Sequence, residues 1–86
     1  MPEISRFFGI IIRMYFDDHE PPHFHAIYSN QEVQVGIEPI MVLHGQLPRR
    51  AMSMVFEWAA LHQQELLANW KYLHSEQAPQ KIEPLD

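Results

Sequence analysis

Nine consecutive residues, Asp17-Asp18-His19-Glu20-Pro21-Pro22-His23-Phe24-His25, gather three of the six histidines and three carboxylates around a diproline. In an extended strand side chains alternate between faces, so His23 and His25 project from one face about 7 Å apart at the backbone and Phe24 from the other. Two kinds of chemistry suit that pattern. In the first, His23 and His25 supply imidazole nitrogens to a divalent transition metal, with His19, Asp17 or Asp18 closing the shell; nitrogen and carboxylate donors fit zinc or nickel, and also iron or copper. In the second, no metal is involved. One imidazole takes the 2′-hydroxyl proton of a ribose while the other protonates the leaving oxygen, a task that matches the ordinary pKa of histidine. The catalytic set is then His23, His25 and a phosphorane-stabilising arginine, for which Arg13 is the first candidate beside Arg6 and Arg49. Arg49, at the start of a helix, and Tyr15 are candidate binding residues. A third reading requires no chemistry: the diproline fixes an extended connection, an aspartate caps the turn, and the imidazoles satisfy backbone carbonyls beside a sheet.

Charge weighs on the second of these readings. Six Lys and Arg against eleven Asp and Glu give a formal net charge of −5 over 86 residues, which disfavours unaided binding of RNA or any other polyanion. The excess is N-terminal: residues 1–45 hold two basic and six acidic side chains, net −4, and residues 46–86 hold four and five, net −1. The absence of cysteine excludes thiolate metal sites, disulfides and cysteine nucleophiles. A chain of this length makes one small domain, and its apolar and aromatic content is enough to fold with no cofactor required. No basic, apolar and cleavable leader opens the chain, and the run Phe7 to Ile12 is too short to span a bilayer. These features lead to the expectation of a soluble, cytoplasmic protein without membrane contact.

The elements that must position the histidines follow from hydrophobic periodicity. Ile4 to Phe16, rich in β-branched and aromatic residues and interrupted at Gly9, reads as one bent strand or as a strand preceded by an irregular arm. His23 to Tyr28 and Glu32 to Ile37 flank Ser29-Asn30 as a hairpin, with Val33, Val35 and Ile37 on one face. Ile40 to His44 supplies a short further strand ended by Gly45. From Leu47-Pro48 onward Met52, Val55, Ala59, Leu66, Trp70 and Leu73 recur at helical spacing, widened by Met54, Trp58 and Leu61. This predicts one long helix, bent near His62 to Gln64. His62 and His74 are expected on its surface. The segment from Ser75 to Asp86 has two prolines, with Ile82 and Leu85 as anchors if it docks.

Several stretches carry a resemblance: Ile4-Ser5-Arg6-Phe7, Met14-Tyr15-Phe16, the His19-x-Pro21-Pro22-His23-Phe24-His25 segment, Leu47-Pro48-Arg49 leading to Glu57-Trp58-Ala59, and Lys81-Ile82-Glu83-Pro84-Leu85. Together they resemble a family of small bacterial proteins, domain of unknown function 4160. That resemblance implies a prokaryotic origin and a gene pair with another small domain, hence a toxin–antitoxin-like module. It implies no activity.

The expected fold is α+β: a small, mainly antiparallel sheet of three to four strands packed on one face by a long C-terminal helix, with residues 1–74 as a single domain and 75–86 as an extended tail. A single helix leaves the opposite face, with Arg13, Tyr15, His23, His25 and Ile27, for a partner. The leading functional expectation is an interaction module, the toxin-like member of a pair with latent RNA cleavage, bound to a protein partner or to itself as a homodimer. The alternative is a metal-binding domain or small metalloenzyme using His19, His23, His25 and Asp17.

Overall fold

The computed structural model describes residues 3–86. Five strands, β1 (Glu3–Phe7), β2 (Ile10–Arg13), β3 (His23–Tyr28), β4 (Gln31–Ile37) and β5 (Ile40–Gly45), precede two helices, α1 (Arg49–Leu61) and α2 (Gln63–Leu73). All neighbouring strands are antiparallel and lie in sequence order, β1-β2-β3-β4-β5, so the sheet is a simple meander. The expected α+β class and antiparallel pairing hold. The strand count is five, because the N-terminal segment folds as a hairpin. Phe8 and Gly9 both take positive φ, 50° and 79°, as a two-residue turn between right-twisted strands requires. The usual Asn before such a glycine is replaced here by an exposed Phe, so the turn signal is weak in the sequence.

One face of the sheet carries the core. Phe7, Ile10, Ile12, Phe24, Val33 and Val35 are buried there, alternating with outward residues as period two demands. α1 lays Val55, Trp58 and Ala59 against them, and α2 adds Leu66, all four fully buried. The Trp58 ring meets Phe7 and Phe24 at centroid distances of 5.4 and 5.7 Å. The helical stripe read from the sequence is therefore the core, except that Leu61 is exposed.

The expected single helix is broken at His62, whose φ of −122° leaves the helical range although its N–H still bonds to the carbonyls of Trp58 and Ala59. Neither Gly nor Pro explains the break. It coincides with two side-chain ties: the His62 ring packs 5.6 Å from Trp58, and Gln63 Nε2 donates to the Ile37 carbonyl at the end of β4 at 2.7 Å. Tertiary contacts of this kind redirect a helix that local propensity would continue. At the other end Gln77 N–H bonds to Tyr72 O and Glu76 N–H to Leu73 O, with Glu76 at φ 61°, a Schellman ending without glycine.

The segment after α2 docks in extended form. Ile82 N–H donates to Ile4 O on the outer edge of β1 at 2.8 Å, Trp58 Nε1 donates to Glu83 O, and the buried Asn69 amide exchanges two bonds of 2.8 Å with the backbone of Gln80. Ile82 is buried and Leu85 packs on the core. One sheet edge is thus covered by the chain itself. No helix among the described residues is long and apolar enough to cross a membrane.

Candidate metal centre

The histidines are placed by three elements. β3 begins at His23, and its pairing with β2 sets Arg13 opposite His25 while its pairing with β4 sets Gln34 opposite His25. The alternation expected of β3 is kept: Phe24 faces the core and His25 the other side. His23 and His25 are nevertheless both buried, each 7% exposed. The expectation of an open histidine face for a partner is corrected here, because the chain's own segment between β2 and β3 folds over the imidazoles. Tyr15 packs edge-on to His25 with centroids 4.7 Å apart.

That covering segment is held by α2. The His74 ring donates to Asp18 O at 2.9 Å through Nε2 and to Trp70 O at 2.8 Å through Nδ1, and the Trp70 ring packs 5.4 Å from His23 and 4.2 Å from His74. Two carbonyl acceptors on one imidazole favour its doubly protonated form, so the bond to Asp18, followed by that to Trp70, raises the His74 pKa above its ordinary 6.5. A raised folded-state value means that the stabilisation is complete below the ordinary value and is lost as pH climbs through the raised one. His74→Ala should therefore lower the melting temperature more at about pH 5.5 than at about pH 8.5. Equal losses at the two pH values would show that the ring charge does not contribute.

Hydrogen bonding assigns the two nitrogens of His23 their roles. His23 Nδ1 lies 2.8 Å from Pro21 O, and a carbonyl only accepts, so Nδ1 carries the proton and Nε2 keeps its lone pair in the neutral ring. That Nε2 is 3.5 Å from Asp18 Oδ2. His25 Nδ1 lies 2.8 Å from Glu32 Oε2 and its Nε2 lies 3.0 Å from the same Asp18 oxygen; both partners are carboxylates, so either ring nitrogen can donate. Two imidazole Nε2 atoms and one carboxylate oxygen, all acceptors unless a cation or a proton stands between them, thus converge on one point. Asp18, His23 and His25 form a set whose potential ligand atoms all lie within 4.8 Å of one another. The separations of 3.0 and 3.5 Å from Asp18 to the imidazoles bracket the roughly 3.3 Å between donors of a tetrahedral shell with bonds near 2.0–2.1 Å.

The candidates named from sequence separate at this point. His23, His25 and Tyr15 come together, Arg13 is the cross-strand neighbour of His25, and Asp18 supplies the carboxylate. Asp17 and His19 are exposed and stand outside the convergent set. His19 instead lines a groove of about 400 Å³ beside the centre, together with Asp18, Glu20, His23, Gln34 and His44. Arg49 is exposed at the first residue of α1, in a different part of the fold. Sequence reasoning missed Glu32 and the pinning role of Trp70 and His74. Glu32 was accessible: the two-residue Ser29-Asn30 turn pairs Tyr28 with Gln31 and Ile27 with Glu32, which puts Glu32 diagonal to His25 on the same face.

The fold and the centre define a small α+β domain in which a meander sheet, covered by helices on one face, encloses a two-histidine, one-aspartate cluster on the other. The chain belongs to the family described as domain of unknown function DUF4160, whose model matches residues 9–71. The matched span includes the whole cluster, Glu32 and Trp70, while β1 and the docked C-terminal segment lie outside it. Comparison with curated proteins and with solved structures returns no match.

Proposed function

We propose that this protein is a metal-binding domain that holds one divalent transition ion through His23 Nε2, His25 Nε2 and an Asp18 carboxylate oxygen. The observation that carries this reading is the placement of the two Nδ1 atoms. Both have oxygen acceptors, Pro21 O and Glu32 Oε2, so that with the protons on Nδ1 each Nε2 presents its lone pair to an ion beside Asp18. Metal-ligating histidines are oriented in this way, the outer nitrogen donating to a carbonyl or carboxylate so that tautomer and ring direction are fixed in advance. Nitrogen and oxygen donors without sulfur suit zinc or nickel. Asp18 and His23 also line the neighbouring groove, so a ligand bound there reaches two of the three donors. That is the arrangement of a site with protein ligands on one side and an exchangeable position on the other.

The same histidines with Arg13 would serve the cleavage of RNA. The Asp18 carboxylate between the imidazoles, with Glu20 and Glu32 close by, favours a cation at that point over a phosphate.

Titration of the full chain with Zn²⁺ or Ni²⁺, followed by calorimetry and by histidine NMR resonances, tests the proposal. Binding of one ion per chain should shift the His23 and His25 resonances and leave that of His62, which does not line the groove, in place. Thermal stability should rise with free metal concentration, since an ion held by the native state alone stabilises it by mass action. No binding at micromolar metal, or binding that perturbs other histidines instead, would remove the proposal.

A further inference from the structure

The two edges of the sheet differ. β1 has its outer edge bonded by the chain's own C-terminal segment through Ile82 N–H and Ile4 O. β5, at the opposite edge, has no such cover: among the described residues no backbone hydrogen bond joins Ile40–Gly45 to anything but β4. Its side chains are exposed and apolar, with Met41 at 49%, Val42 at 40% and Leu43 at 39%. Natural edge strands are protected by lysines, inward charges or proline. Ile40–Gly45 contains none of these, although a register shift opposite Gln34 and Val35 bends it. The backbone is also locked in place. Gly45 sits at φ 83°, and a Cβ there would meet Glu32 O at 2.3 Å.

We propose that β5 is an assembly edge, and that its occupant is β5 of a second copy, paired antiparallel across a two-fold axis to join the two sheets. Charge selects this occupant. A chain of net charge −5 repels its own copy over most of its surface, but Ile40–Gly45 holds no formal charge, so two copies meet there without like-charge contact. The flanks are complementary. Glu38 precedes the strand and Arg49-Arg50 follow it, all three exposed and, among the described residues, without an ion-pair partner. Antiparallel pairing centred near Val42 brings the acidic end of each β5 toward the basic end of the other. In an isologous contact this happens twice. The apolar side chains complement themselves in the same operation, Met41 and Leu43 on one face and Val42 on the other. The two metal centres would then lie on a common face, five strand spacings or roughly 24 Å apart. This inference stands whether or not a metal binds.

Sedimentation of the full chain across the micromolar range should show a reversible monomer–dimer equilibrium. Val42→Lys, which places like charges at the centre of the contact, should weaken it at least tenfold, or about 1.4 kcal/mol. Val42→Glu should do the same. An equimolar mixture of the two variants should recover the dimer, a result that pairing with any other surface would not give. Circular dichroism and melting establish that each variant is folded. If either is not, Glu38→Arg at the exposed turn takes its place and should weaken the dimer about fivefold, or about 1 kcal/mol. A parent chain that stays monomeric throughout, or a dimer that the folded variants leave equally tight, overturns the proposal.

Discussion

His25→Ala should reduce affinity for Zn²⁺ by at least about a hundredfold, or roughly 2.7 kcal/mol, and His23→Ala and Asp18→Ala should each do nearly the same. Each removes one of three donors that lie within 4.8 Å of one another, with both Asp18–imidazole separations already matching a metal shell. The controls are specific. Asp17→Ala and His19→Ala, both at exposed positions outside the cluster, should bind metal as the parent does. Glu32→Ala keeps all three donors but releases the His25 ring, and should weaken binding roughly ten- to hundredfold, the usual effect of losing an orienting partner. The Glu32 side chain is half exposed, so the variant should fold normally. Calorimetry on the six variants decides the matter. If Asp17→Ala loses binding while Asp18→Ala retains it, the carboxylate has been assigned to the wrong residue. If none of the six changes binding, the ion sits elsewhere.

The second large effect concerns the core. Trp58→Ala should cost roughly 3 to 5 kcal/mol, the range for a buried aromatic. For a domain this small that is a large share of a total on the order of 5 to 15 kcal/mol. Three losses combine at this position. The ring is fully buried between Phe7 and Phe24. Its Nε1 donates to Glu83 O at 2.8 Å, so the docked C-terminal segment loses an anchor. The ring also supports His62, at the break between the helices. Chemical denaturation of the variant checks the expectation. A midpoint close to that of the parent would mean that the surrounding aromatics repack into the space.

The positions of β3, β4 and β5 could be read from the sequence because each is a short run of strand-favouring residues bounded by a turn, a proline or a glycine, and β4 alternates with period two. The core stripe of Val55, Trp58, Ala59 and Leu66 was legible for the analogous reason, a helical period from Met52 to Leu73 with no Gly or Pro between Pro48 and Pro79. The hairpin of β1 and β2 was not, since an exposed Phe8 stands where a turn-forming residue would announce it. The helix break was legible in place, as a bend near His62 to Gln64, but not in extent: one helix was expected and two form, with His62 tied to Trp58 and to Glu65 and Gln63 tied to Ile37 at that point.

The candidate centre divides along the same line. The His-x-His spacing on one strand is a local property of an extended chain, and the sequence alone determined that His23 and His25 share a face. Which acid joins them is not local. Asp17, Asp18 and Glu20 lie in one turn and differ little in composition or position, so no pattern ranks them. The choice of Asp18 is made by α2, about fifty residues later in the chain, where His74 holds the Asp18 carbonyl and Trp70 packs on His23. Burial of the imidazoles has the same origin, since a loop that could stand open in solvent is drawn over them by those contacts. Periodicity and spacing determine elements and faces because they depend on neighbours in the chain; the tertiary structure decides ligand identity and exposure because those depend on residues that only folding brings together.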